Sequence, residues 1–176
     1  MPSQAIIIDR NKQNGFDSTY YNSFKHGNET HQDFEFSVNW NSLFGEDGRF
    51  RGLEEHVSYI KFSNVYPHGK FILDNPPADM TIEENFFESR TMAILIFMLH
   101  NFRNLITKIF PKRHFDKKTS FYLANLFFDY EWKQITVDDL IPVSSKQTAY
   151  FTTTSTDEFW PILLEKALSK GIGSYI

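Results

Sequence analysis

Eight consecutive apolar residues, Met92–Leu99 (MAILIFML), lie inside a longer stretch, Ile82–Phe110, whose spacing is helical. Ile94, Phe97, Met98, Leu105 and Ile109 fall near one face of that helix. Met92, Leu95, Ile96, Leu99 and Ile106 cover much of the rest. A helix that is apolar on most sides belongs in the interior of a fold, not on its surface. The rest of the chain is therefore expected to enclose it. A bilayer span takes about 20 apolar residues, so this run is a core element and not a membrane anchor. Thr81 and Glu84 have capping-box spacing at its start. Pro111 ends it, and Lys112 and Arg113 suit its negative C-terminal end.

After this helix the periodicity changes. Ser120–Phe128 and Trp132–Val137 are rich in aromatic and β-branched residues, with Asp129-Tyr130-Glu131 as a tight connection, which predicts an antiparallel hairpin. Asp138, Asp139 and Pro142 end its second strand, and Ala149–Thr153 reads as a further short strand. Trp160, Leu163, Leu164, Ala167 and Leu168 follow helical spacing, predicting an amphipathic helix over Glu158–Lys170. Pro161 fits only the first turn of such a helix, and Gly171 is the expected stop.

The first half is less regular. Asn11–Asp33 holds no aliphatic residue and cannot form a core of its own. It reads equally as a loose tail or as an extended arm whose aromatics, Phe16, Tyr20, Tyr21 and Phe24, dock on a partner. Phe34–Val38 alternates like a short strand, and His56–Phe62 and Lys70–Leu73 are short strand or helix candidates. Asn75-Pro76-Pro77 stops regular structure, so residues 1–79 are expected to be an irregular, partly extended N-terminal arm and residues 80–176 the folded domain. With 18 basic and 22 acidic residues the net charge is -4, which leaves nucleic acid a poor partner. The chain contains no cysteine, excluding disulfides, thiolate catalysis and Cys-ligated zinc. No signal-peptide pattern opens it, and a cytoplasmic protein is expected.

Two stretches carry a family resemblance. Glu131-Trp132-Lys133-Gln134-Ile135-Thr136-Val137-Asp138-Asp139-Leu140-Ile141-Pro142 resembles the calpain segment in which a Trp opens a strand ending in Val-Asp-Asp-x-Leu-Pro. Glu158-Phe159-Trp160-Pro161-Ile162-Leu163-Leu164-Glu165-Lys166-Ala167, with Lys170 and Gly173-Ser174-Tyr175, resembles the calpain helix that runs from Glu-Phe-Trp to a Gly-Ser-Tyr ending. The resemblance covers roughly residues 80–176. It implies an α+β fold, the first lobe of a papain-like cysteine protease core, with a buried central helix, an antiparallel hairpin sheet and a closing helix.

The resemblance also implies that the chemistry is lost. The family places its nucleophilic Cys at the start of the buried helix, within Gln-Gly-x-Leu-Gly-Asp-Cys-Trp. Counting back from Pro111, the matching run is Glu84-Asn85-Phe86-Phe87-Glu88-Ser89-Arg90-Thr91. Arg90 then stands at the nucleophile position and Glu84 at the oxyanion position, where a carboxylate would repel the developing charge. Ser89 needs a base within hydrogen-bond reach, and His100 lies about three turns down the same helix. Ser89 is expected to cap or pack, and His100 to be a partly buried structural histidine.

Glu158 falls where the family has one acidic calcium ligand, but the partner positions carry Thr81, with Asp79 only nearby. Calcium needs several carboxylates, so Glu158 is expected to serve the positive end of the closing helix. No metal or cofactor is expected. Asp138 and Asp139, adjacent on a strand, point to opposite faces and are expected to bond turn amides. Trp132 and Trp160 read as core or lobe-packing residues, and Lys112, Arg113, Lys117 and Lys118 as a solvated basic loop.

The expected role is a non-enzymatic structural or adaptor subunit that binds other proteins in a larger assembly. A calcium-responsive regulatory module, or a half-site completed by a partner chain, are the alternatives. Inactive calpain-like modules occur in cytoskeletal and ciliary proteins, which extends the expected location to those structures by analogy.

Overall fold

The computed structural model of the chain describes residues 6–7, 33, 36, 57–83, 90–111, 115–116, 120–144 and 152–173. Phe121–Phe128 and Glu131–Val137 form the predicted hairpin. They pair antiparallel from Tyr122 opposite Val137 to Phe128 opposite Glu131. Asp129 and Tyr130 close it with φ of 51° and 65°. Two positive φ values in a two-residue loop match the right-handed twist of the flanking strands.

In chain order the strands are β1 (Ile6–Ile7), β2 (Val57–Lys61), β3 (Ile82–Glu83), β4 (Phe115–Asp116), β5 (Phe121–Phe128), β6 (Glu131–Val137), β7 (Leu140–Ser144) and β8 (Thr153–Thr154). The helices are α1 (Phe62–Val65), α2 (Arg90–Asn101), α3 (Arg103–Ile109) and α4 (Trp160–Ile172). One sheet has the order β1-β6-β5-β4, and two separate pairs are β2-β7 and β3-β8, all antiparallel. This is the expected α+β architecture of small antiparallel sheets and helices. No helix among the described residues is long and apolar enough to cross a membrane.

The boundary expected near residue 80 falls inside a packed unit. All five residues of β2 pair with β7, from Val57 opposite Ser144 to Lys61 opposite Leu140. Phe62 is 1% exposed and stacks on Phe159 at 4.5 Å. Lys70 bridges Glu158, and the backbone N–H groups of Phe159 and Trp160 donate to the carbonyls of Lys70 and Phe71. Residues 57–73 thus supply a layer of the core. Their contacts are to residues about 80–100 positions away, which no local pattern displays. Phe34, Val38 and residues 149–151 lie outside the described residues.

The central helix differs from the expectation in two ways. It is broken at Phe102 (φ -118°, ψ 57°), so α2 and α3 are separate helices. The Phe102 N–H reaches both Met98 O (3.0 Å) and Leu99 O (3.2 Å), and the Asn101 side chain donates to Phe97 O. Its burial is also one-sided. Met92, Ile96, Leu99 and Ile106 are 6%, 0%, 4% and 0% exposed, whereas Ile94, Phe97, Met98 and Leu105 are 62%, 56%, 53% and 39% exposed. The capping box is not formed either. Thr81 precedes β3, and its N–H and C=O pair with Ser155.

The enclosed helix is instead α4. Trp160, Leu163, Leu164 and Ala167 are fully buried in the core cluster with Phe159 and the hairpin, and the charged Glu165, Lys166 and Lys170 are buried as well. Pro161 sits in the first turn as expected. The stop is Gly173, at φ 115°, while Gly171 lies within the helix. A Cβ on Gly171 would fall 2.6 Å from Phe128 Cζ and 3.0 Å from Ile135 Cδ1. That residue is glycine because the hairpin passes too close for a side chain.

Candidate functional site

Arg90 is the first residue of α2 and is exposed, so the head of this helix presents a guanidinium. Glu84 and Ser89 lie outside the described residues, as do Phe16, Tyr20, Tyr21, Phe24, Lys112, Arg113, Lys117 and Lys118. From the head of α2 onward, Ile94, Phe97, Met98, Phe102 and Leu105 form an exposed apolar stripe along α2 and the start of α3. Of the first set of apolar residues legible in the sequence, Ile109 packs on the core and the other four face outward, while the second set meets the core.

His100 is buried, and its Nε2 lies 3.2 Å from Pro77 O. A carbonyl only accepts, so Nε2 carries the proton and ties the Pro76-Pro77 segment to α2. Its Nδ1 is buried without a hydrogen-bond partner among the described residues. This is a structural histidine.

Glu158 does not act as a helix-end charge. Its carboxylate receives the Arg103 guanidinium in a two-pronged pair, the Leu73 N–H at 2.6 Å and the Thr156 hydroxyl at 3.4 Å. Arg103 also donates to Leu73 O at 2.9 Å. The Glu158 side chain is wholly buried and that of Arg103 is 22% exposed. The pair locks α3, the segment around Leu73 and the entry to α4 together. Glu158 thus already holds a cation, the guanidinium. Among the described residues no group of three His, Asp or Glu is placed to hold a metal ion. Charge pairing across 55 positions left no local signal for Arg103.

Asp138 and Asp139 diverge as expected but serve more than turn amides. Asp138 accepts from the Leu140 N–H (3.0 Å), the Asp33 N–H (2.8 Å) and the Lys166 ammonium. Asp139 accepts from the Ser120 hydroxyl at 3.0 Å. Lys170 donates to both carboxylate oxygens of Asp33, at 2.8 and 2.9 Å, and to Thr136 O. Two lysines one turn apart on α4 are therefore buried against two aspartates. Removing one partner from such a pair costs about 3–5 kcal/mol, because a charge is left uncompensated. Glu165 accepts the Thr152 N–H at 2.8 Å, and burial pushes its carboxyl up to about 7 against that hydrogen bond.

Trp160 is core, fully buried, but Trp132 is not: it is 45% exposed and stands edge-on to Phe127 at 5.5 Å. Phe127 and Trp132 share the face of the hairpin opposite the one that packs on α4, and that face has no covering layer at this end among the described residues.

This arrangement can bind and brace, but it offers no thiol for covalent chemistry. Comparison with known proteins gives the same family as the two motifs. The sequence profile described as calpain family cysteine protease matches residues 31–176. Calpain-C of Drosophila melanogaster is 26% identical over 102 residues, which is 57% of this chain and 15% of that protein. Calpain clp-1 of Caenorhabditis elegans is 42% identical over 50 residues, covering 28% of this chain and 6% of the relative. The human calpain-1 catalytic subunit is 42% identical over 45 residues, covering 26% and 6%. The matched region is a small part of each of these relatives.

Proposed function

We propose, on the premise that this chain belongs to the calpain family of cysteine proteases, that it is a non-enzymatic member which contributes binding surface to a larger protein assembly. One observation carries the reading: none of the 176 residues is a cysteine. Calpain-type catalysis needs a thiolate favoured by a helix N-terminus. The reading places Arg90 at that position, with no nucleophilic atom and with a charge the helix dipole disfavours. Glu84, at the oxyanion position, offers a carboxylate where a donor is needed.

Two features support a binding role. The stripe of Ile94, Phe97, Met98, Phe102 and Leu105 is an apolar surface of the kind that marks interaction sites. The aromatic residues Phe16, Tyr20, Tyr21 and Phe24 add anchors in the N-terminal segment. Cytoplasmic, cytoskeletal or ciliary assemblies are the first places to seek the partner. The Arg103–Glu158 pair speaks against a calcium-responsive module, since the carboxylate is already neutralised.

The test is hydrolysis. The purified chain, with reductant and millimolar calcium, is incubated with casein and with a fluorogenic peptide, alone and with any protein that co-purifies with it stoichiometrically. Turnover no faster than the protein-free blank is expected, with no labelling by serine- or cysteine-directed probes. Turnover in either sample would overturn the reading.

A further inference from the structure

Arg90, Ile94 and Met98 on α2, and Phe102 at its end, follow one another at intervals of four. The Phe102 N–H still donates to Met98 O at 3.0 Å, so this row keeps helical register up to the break. A second row runs beside it from Phe97 through Asn101 to Leu105, and every member of both rows is exposed. Asn101, the polar member of the second row, donates its amide to Phe97 O at 2.8 Å and so lies along the helix. The five apolar members leave roughly 500 Å² of surface in water. Rows spaced by four are the ridges that interlock when one helix packs on another.

The charge on this face has one sign. Arg90 lies one turn before Ile94, and the exposed Lys108 lies one turn after Leu105. Neither has an ion-pair partner among the described residues. Arg103, the other cation of these helices, is turned to Glu158. No Asp or Glu occurs from Arg90 to Phe115. These charges decide between occupants. A second copy joined through the same face would set Arg90 of one copy near Lys108 of the other, cation against cation. The apolar area also falls short of the roughly 800 Å² per partner that a standard interface buries. An anionic bilayer matches the charge but has no ridges to interlock with the two rows. A helix with carboxylates at its ends matches both the charge and the shape.

We propose that this face seats an amphipathic helix of another protein, with its apolar side between the two rows and its aspartates or glutamates at Arg90 and Lys108. The site deepens the binding role proposed above and rests on it for its use in an assembly. Hydrolysis in the earlier test would strike that role, whereas loss of helix binding would strike only this site.

The experiment titrates the full chain into a fluorescein-labelled helical peptide of about 18 residues, or five turns, read by anisotropy. Leucines line one face of the peptide, alanine and glutamine fill the rest, and two glutamates stand at each end. A matched peptide carries lysines in place of the glutamates. Saturable binding is expected, about fivefold or more tighter for the acid-ended peptide, in the range of a few exposed charge pairs. Phe97→Ser with Phe102→Asn weakens it about tenfold or more, as loss of apolar anchors does. Arg90→Glu with Lys108→Glu reverses the preference toward the lysine-ended peptide, a gain that a misfolded chain would not show. Trp132→Thr, an exposed ring on the hairpin, leaves binding unchanged. Vesicles of phosphatidylcholine and phosphatidylserine in equal parts, and sedimentation of the chain alone, run in parallel. Absence of saturable binding, equal binding of the two peptides, charge reversal without exchange of preference, or vesicle binding or self-association through these rows in place of peptide binding each overturns the proposal.

Discussion

Glu165 shows how a single side chain in this protein sets a measurable property. Its carboxyl is buried on α4 with the Thr152 N–H as its hydrogen-bond donor, and burial raises it from 4.5 to about 7. Below the unfolded value both states hold the proton, and the fold keeps its full stability. As pH rises toward 7 the unfolded chain releases the proton while the folded one retains it, so stability falls. Above 7 both are charged and the loss is complete. A shift of this size corresponds to roughly 3 kcal/mol. Glu165→Gln is expected to lack this fall: urea unfolding at pH 5 and at pH 7.5 should show wild type losing about 2 kcal/mol relative to the variant, the rest of the loss falling below pH 5. Equal pH dependence in the two proteins would mean that the carboxyl is ordinary. The sequence displayed Glu165 only as one polar position of an amphipathic helix. Burial of Glu165, Lys166 and Lys170 depends on Thr152, Asp138 and Asp33, which come from three other places in the chain.

At the level of elements, local chemistry was legible and distant cover was not. The β5–β6 hairpin follows from strand propensity on either side of Asp129-Tyr130, and α4 from its spacing and Pro161. The break at Phe102 had no proline or glycine to announce it. The two glycines at the end of α4 divide the roles that one was expected to hold: Gly173 turns the chain, and Gly171 admits Phe128. Propensity alone favours alanine over glycine within a helix by about 1 kcal/mol. Gly171→Ala is nevertheless expected to destabilise the protein by about 1–3 kcal/mol, the range of overpacking in a dense core. Chemical denaturation measures it, and a stabilised variant would show that the Phe128 ring moves aside freely.

Across the molecule, the inside and outside of the central region are exchanged relative to the apolar pattern. The most apolar run leaves one face in water, while a helix with two lysines is enclosed. Composition could not reveal this, because a charge is buried only where it meets its counter-ion, and which charges meet is not written in composition. Since the stripe on α2 and α3 makes little contribution to the core, Phe97→Ser with Phe102→Asn is expected to change stability by no more than about 0.5 kcal/mol, as for other surface positions. The same variant should bind less of a hydrophobic dye and scatter less light at high concentration. A loss of several kcal/mol would mean that these rings are covered in the native protein.

The charge pairs of α4 also dictate an order of events during synthesis. Asp33 finds Lys170 across 137 positions, and Asp138 finds Lys166 across 28. A ribosome adds about 5–20 residues per second. For some seconds, then, the first aspartate waits with its counter-ion not yet made, and the hairpin leaves the exit tunnel before α4 does. During that interval the inner faces of Tyr122, Ala124 and Leu126 have no lid, and the nascent chain is a natural client for chaperones that hold greasy strands apart.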